Sequence, residues 1–302
     1  MAKFTLEQEH AQLRSFSDFV SGWLQKVTDS YHAAKESEQP RIELPLPECS
    51  FPSEVMAEYA RSYKRAVRPM RPKGLQPSDL CRIGSKHDGG YVMLPPGQSG
   101  IAYSLGIDTN ADWDLDMAAR GFQVWQYDGS VNAPPVEHPL FHFEPLFIYG
   151  SEGTIPRENA GKSKTLSQAI SDNGHAAEKS IILKMDIEGG EWSVFEHLPV
   201  DTLKMFSQVV VELHIHLTDL IRLPSYTALL NKIRRTHMPF HVHANNARKP
   251  MDFGTEKFEF LLEVSYVRRD DYPAFALCED FYPTPLDAPC VPRFPEIQLG
   301  RW

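Results

Sequence analysis

Ile182-Leu183-Lys184-Met185-Asp186-Ile187-Glu188-Gly189-Gly190-Glu191-Trp192 is the stretch whose reading decides the fold. It starts as an apolar run and breaks into three carboxylates and a glycine pair. A run that is apolar on both faces belongs to a strand covered on both faces, as in a parallel sheet flanked by helices. Side chains alternate along a strand, so Lys184, Asp186 and Glu188 share one side. Val209-Val210-Val211-Glu212-Leu213-His214-Ile215-His216 repeats the design and puts Glu212, His214 and His216 on one side. If the two strands are neighbours, carboxylates and imidazoles meet at the carboxyl edge, where open α/β sheets bind ligands.

Outward from this pair, short β-branched or aromatic runs alternate with helical stretches from Leu80 onward, the pattern of a parallel sheet with crossover helices. Strands are expected at 101–105, 123–127, 181–186, 208–213, 240–243 and 258–267, with a weaker pattern at 143–149. The last two are separated by a short polar loop, which suits an antiparallel hairpin and not a crossover. A parallel sheet ending in one antiparallel hairpin is the arrangement expected of a methyltransferase, not of a dehydrogenase.

The turn after the first of these strands reads Tyr103-Ser104-Leu105-Gly106-Ile107-Asp108-Thr109-Asn110, followed by the acidic helix start Asp112-Trp113-Asp114-Leu115-Asp116. A glycine at a strand-to-helix turn lets backbone approach a ligand closely. A GxGxxG pyrophosphate loop is missing, which disfavours a nicotinamide dinucleotide. The acidic helix start argues against a phosphate and is tolerated by S-adenosylmethionine, whose sulfonium and amino groups are cationic. Asp128 stands 22 positions after Gly106 at the end of the next strand, the place from which a carboxylate accepts hydrogen bonds from ribose hydroxyls. Asp128-Gly129 also reads as a simple turn pair. Upstream, Asp88-Gly89-Gly90 makes a tight turn near the cofactor's methionine end, or only a hairpin turn. Asp88, Gly89, Gly90, Gly106, Asp108 and Asp128 are therefore the cofactor-binding candidates.

The carboxylate and imidazole cluster has three readings. Asp186 or His214 is a general base on a substrate hydroxyl; or Asp186, Glu212 and His214 hold a divalent cation, magnesium, manganese or iron; or the groups form a buried hydrogen-bond network. His216, His243 and Asn245, at the mouths of the late strands, are candidates to face the acceptor.

These motifs resemble the FkbM-type and related methyltransferase families over roughly 80–268. The likeness rests on Arg82-Ile83-Gly84 with Asp88-Gly89-Gly90-Tyr91, on Tyr103 to Ile107, on Leu183 to Trp192 and on Val211-Glu212-Leu213-His214. The resemblance implies a Rossmann-like, seven-stranded, S-adenosylmethionine-dependent fold, acting on a hydroxyl of a sugar or natural product. By position it implies Gly106 and Asp128 for the cofactor and Asp186 for the catalytic edge. The sequence departs from the commoner pattern in having a single glycine in the first motif.

The domain division expected is 1–78, a helical extension, and 79–302, the methyltransferase domain. Within the extension, Leu13, Phe16, Phe19, Val20, Trp23, Leu24 and Val27 recur at spacings of three and four, an amphipathic helix that covers the same chain, forms a homodimer or acts as a lid. A second helical stretch is read at 53–65. With 302 residues, 42% hydrophobic and 24% charged, the chain can bury a large core. A formal net charge of −9 supplies no basic footprint for nucleic acid or an anionic membrane. The first residues lack a signal-peptide core and no apolar run reaches ~18 residues, so the expectation is a cytoplasmic protein with a small-molecule acceptor. Cysteines 49, 81, 278 and 290 have neither CxxC spacing nor disulfide density and read as isolated thiols, not as a cysteine zinc site. A metal-dependent hydrolase built on Glu212-x-His214-x-His216, and a binding module without catalysis, are the rival readings.

Overall fold

The computed structural model describes residues 53–74, 79–215, 223–248, 250–252, 257–272, 276–277 and 280–301, together with Asp18. A hairpin comes first in the sheet-bearing part, β1 (Cys81–Gly84) and β2 (Gly90–Met93), paired antiparallel. Seven strands then build one sheet: β3 (Gly100–Leu105), β4 (Phe122–Tyr127), β5 (Phe141–Glu144), β6 (Ile181–Met185), β7 (Phe206–His214), β8 (His237–Ala244) and β9 (Leu261–Arg268). Their spatial order is β8-β9-β7-β6-β3-β4-β5.

Strands β3 to β7 pair in parallel. Strand β9 runs antiparallel to both β7 and β8, which it separates. The sheet is thus mostly parallel with one reversed strand, consistent with a Rossmann-like fold and with the terminal hairpin expected from the short polar loop.

Burial explains why these segments are strands. All five residues of β6 are buried, and so are eight of the nine in β7. Between strands the chain forms α2 (Asp112–Ala119), α3 (Leu166–Asp172), α4 (Glu191–His197) and α5 (Val200–Leu203), preceded in the chain by α1 (Ser53–Val67). Thr165 starts α3 through a capping box, accepting from Gln168 N while the Gln168 side chain accepts from Thr165 N. One hydrophobic cluster joins the hairpin, α2 and the sheet: Ile83, Tyr91 and Met93 pack with Trp113 and Met117 and with Val124, Ile182, Val210 and Phe240. It holds the hairpin beside the β3–α2 turn.

Two expected runs are divided. Pro145, which has no N–H to give a ladder, ends β5 after Glu144; Phe147–Tyr149 then pairs with Ser163–Thr165 outside the main sheet. The 258–267 run separates into Lys257–Phe258, paired with Met251–Asp252, and the sheet strand β9.

Contacts divide the chain after Val67, after Ile215 and after Tyr226, with 216–226 assigned to the smaller unit together with 1–67. The smaller unit contains α1, a helix of 15 residues that matches the expected one at 53–65. The amphipathic stretch at 4–36, and with it the dimer or lid role, lies outside the described residues apart from Asp18. Among the described residues no helix is long and apolar enough to cross a membrane.

Candidate active site

Four adjacent parallel strands end at one level. Leu105 pairs with Tyr127 on one side and with Met185 on the other, and Met185 pairs with Val211. The next residue on each strand carries chemistry: Asp128, Gly106, Asp186 and Glu212. The row continues across the reversed strand, where Glu212 faces Glu263 and Glu263 faces His243. With neighbouring strands about 4.8 Å apart, six strands present one line of functional positions along the carboxyl edge.

Gly106 sits where only glycine fits. Its φ is +78°, and a Cβ there would lie 1.7 Å from the Asp186 carbonyl oxygen. The turn is fixed from both sides, Gly106 N donating to Tyr127 O and Asp186 N to Leu105 O, each at 2.9 Å. The buried Lys184 ammonium donates to the Gly106 carbonyl. Beside it Asp114 is fully buried, accepts from Gln126 Nε2 at 2.8 Å and is raised in pKa by burial, against the pull of Lys184. Of the acidic helix start, then, Asp114 points inward as the partner of Lys184.

Asp128 closes the Gly106 loop. Its Oδ2 accepts from the backbone N–H of Ile107 and of Asp108, both at 2.8 Å, and its Oδ1 accepts from Ser130 N at 2.8 Å and Ser130 Oγ at 2.6 Å. Burial alone would raise its pKa; the hydrogen bonds from Asp108, Ser130 and Ile107 outweigh it and hold the carboxylate below the usual range. Asp108 takes φ +47° to make its contact. Asn110 Nδ2 donates to Asp88 O at 2.8 Å, which brings the Asp88-Gly89-Gly90 turn against the same loop. All six cofactor candidates therefore meet in one place, and the turn at 88–90 is also the hairpin turn that was the plainer reading.

The second half of the site surrounds His214. Its Nε2 lies 3.2 Å from Glu188 Oε2 and 3.6 Å from Glu212 Oε1, and its Nδ1 lies 3.3 Å from Glu191 Oε1, an ion-pair distance without hydrogen-bond alignment. Burial pulls the imidazole's pKa down, but Glu188 and Glu191 outweigh it and lift it to about 11. His214 is an imidazolium at neutral pH. Asp186 moves the other way: burial raises it to about 7 although Lys184 and His214 pull it down. Glu212 is pushed well above the carboxylate range by burial and then by Asp186, while Asn245 Nδ2 donates to its Oε2 at 2.7 Å.

Glu191 is the functional residue that alternation missed. It opens α4 just beyond the glycine pair, and its carboxylate turns back to accept from Ile187 N and Gly189 N while facing His214. Around His214, among the described residues, Asp186, Glu191 and His214 offer ligand atoms within 4.8 Å of one another; Glu212, expected in that set, groups instead with Asp88 and Glu263. His243 is 1% exposed with both ring nitrogens engaged, Nδ1 by Glu263 and Nε2 by Glu296. His216 lies outside the described residues.

No family model matches the chain. Over 120 residues, 38% of its length, the chain is 27% identical to "Probable methyltransferase-like protein 24" of Homo sapiens, and it is 28% identical over the same share to the protein of that name from Rattus norvegicus. The match spans 32%, about a third, of the length of each relative. This likeness and the mostly parallel seven-stranded sheet support a methyltransferase. They do not single out the FkbM type.

Proposed function

We propose that the protein transfers the methyl group of S-adenosylmethionine to a hydroxyl of a small molecule, with Asp186 as general base. The observation that carries the reading is the aligned row of Asp128, Gly106, Asp186 and Glu212 across four neighbouring strands.

The residues fit the cofactor's chemistry. The Gly106 turn packs backbone directly on the Asp186 carbonyl and so brings the ends of two strands together, and the carboxylates of Asp88, Asp108 and Asp128 suit a cationic, phosphate-free molecule with a ribose diol. Asp128 would take a ribose hydroxyl on Oδ1 by displacing the Ser130 hydroxyl, a side-chain donor that rotates away at little cost. When bound, the cofactor supplies an electrophilic methyl group on sulfur.

The chain's own part is proton handling and charge placement. A carboxylate whose pKa burial raises to about 7 is a stronger base than an ordinary one and suited to take a hydroxyl proton as attack begins. His214, already protonated, holds Asp186, Glu188, Glu191 and Glu212 together as their shared cation. This assigns the base role to Asp186, leaves His214 to position it, and makes a second cation among these groups unnecessary for methyl transfer. Asn245 anchors Glu212.

The test is transfer of labelled methyl to a panel of sugars, phenols and amines. Transfer to a hydroxyl that Asp186→Asn lowers by 100-fold or more, with cofactor affinity kept, supports the reading. Transfer to amines alone, or unchanged turnover by Asp186→Asn, overturns it.

A further inference from the structure

Strand β8, strand β9 and the last described segment meet at a second cluster, which adjoins the His214 group through Glu212. His243, Glu263 and Cys290 are 1%, 5% and 4% exposed, and each offers a ligand atom within 4.8 Å of the others. Glu263 is the centre: its Oε2 lies 2.8 Å from His243 Nδ1, and its Oε1 accepts from Cys290 Sγ at 3.2 Å. The far ring nitrogen, His243 Nε2, lies 3.1 Å from Glu296 Oε1, which also accepts from Ile297 N.

We propose that His243 Nδ1, Glu263 and Cys290 bind one zinc-class divalent cation. The donor set selects the ion: one nitrogen, one oxygen and one sulfur suit a borderline metal, whereas magnesium and calcium take oxygen ligands. Glu296 stands where a metal-bound histidine needs a carboxylate, on the other ring nitrogen, fixing the tautomer that leaves Nδ1 free to ligate. Charge points the same way. Glu263 shares ligand-distance space with Asp88 and Glu212 as well, two buried acids and the exposed Asp88, so a dication there meets an acidic surrounding.

Binding sheds protons because the ligating forms are a thiolate and a neutral imidazole: the Cys290 thiol proton leaves to solvent as sulfur takes the ion, and His243 ligates through an Nδ1 that carries no proton. The site also explains how the end of the chain is held. Residues 284–299 form no helix or strand, yet they supply Cys290 and Glu296 here. Nearby, Asn246 Nδ2 donates to the carbonyls of Val291, Phe294 and Pro295, and His241 Nε2 lies 2.8 Å from Asp287 Oδ1.

This inference does not rest on methyl transfer, and its readout needs no cofactor. The full chain, purified without a histidine tag and stripped by chelator dialysis, is titrated with cobalt(II) as a spectroscopic stand-in. One equivalent should give a near-ultraviolet thiolate-to-cobalt charge-transfer band, bleached by one equivalent of zinc. Cys290→Ser should abolish that band, Glu296→Gln should weaken binding 10- to 100-fold, and Asp186→Asn should leave the spectrum as in the wild type. A folded wild-type chain that shows no band at tenfold excess of cobalt overturns the proposal, and so does a band that survives Cys290→Ser.

Discussion

Replacing Gly106 by alanine tests the geometry on which the whole carboxyl edge depends. The added Cβ would lie 1.7 Å from the Asp186 carbonyl oxygen, and side-chain carbons essentially never come within 3.0 Å of such an atom. The ends of β3 and β6 must therefore separate by about 3.0 − 1.7 = 1.3 Å at that point. Separation stretches the 2.9 Å bond from Asp186 N to Leu105 O, a loss of about 1 kcal/mol. Holding an alanine at φ +78° costs a further ~1–2 kcal/mol, and local overpacking adds ~1–3 kcal/mol. The sum is about 3–6 kcal/mol, a large part of the ~5–15 kcal/mol that stabilises a typical domain. Guanidinium unfolding followed by tryptophan fluorescence reads the loss directly. Where the variant still folds, a shift of about 1 Å between Gly106 and Asp186 should lower turnover by roughly 100-fold. A change in stability below about 0.5 kcal/mol, with turnover intact, would refute the packing described for this turn.

Three further outcomes follow from the same contacts. The folded pKa of Asp186 lies above its unfolded value, so the stability it contributes is complete below about pH 4 and is lost as pH rises through about 7; Asp186→Asn should stabilise the fold at pH 8 by ~1–3 kcal/mol, seen by denaturant titration at pH 5 and 8, while erasing the rise of kcat/KM through pH 7. Lys184→Met removes the cation shared by Asp114 and Asp186 and should cost about 3–5 kcal/mol, with both carboxyls moving further up in carbon-detected NMR titration. Asn246→Ala breaks its bonds to Val291, Phe294 and Pro295 and should cost ~2–3 kcal/mol, read as faster proteolytic cleavage within 284–299 without loss of the sheet's circular dichroism.

Much of the sheet was legible because its signals are local. Lys184, Asp186 and Glu188 follow an apolar strand, Glu212 and His214 another, and alternation plus the carboxyl-edge rule joins them without knowledge of register. Gly106 and Asp128 were likewise legible from the spacing between a strand turn and the next strand's end. Glu191 was not: it belongs to a helix start, where period-two alternation no longer applies, and reaches His214 by folding back. Glu263, Cys290 and Glu296 were harder still. Glu263 enters the row only because β9 runs between β7 and β8, and nothing in a chain segment announces which strand it will separate. Cys290 looked like an isolated thiol because its partners, His243 and Glu263, are 47 and 27 positions away, outside any ligand-spacing pattern. The spacing puts Asp128 at the strand end beside the Gly106 turn, where the structure also has it, but its two oxygens serve Ile107, Asp108 and Ser130, contacts that spacing cannot show.

Calorimetric titration of the purified chain with S-adenosylhomocysteine tests the central claim most directly, with Asp128→Ala and NAD as controls. The account predicts micromolar binding by the wild type, affinity at least tenfold weaker for Asp128→Ala, and no heat with NAD. A folded wild-type chain that binds no S-adenosylhomocysteine would contradict it.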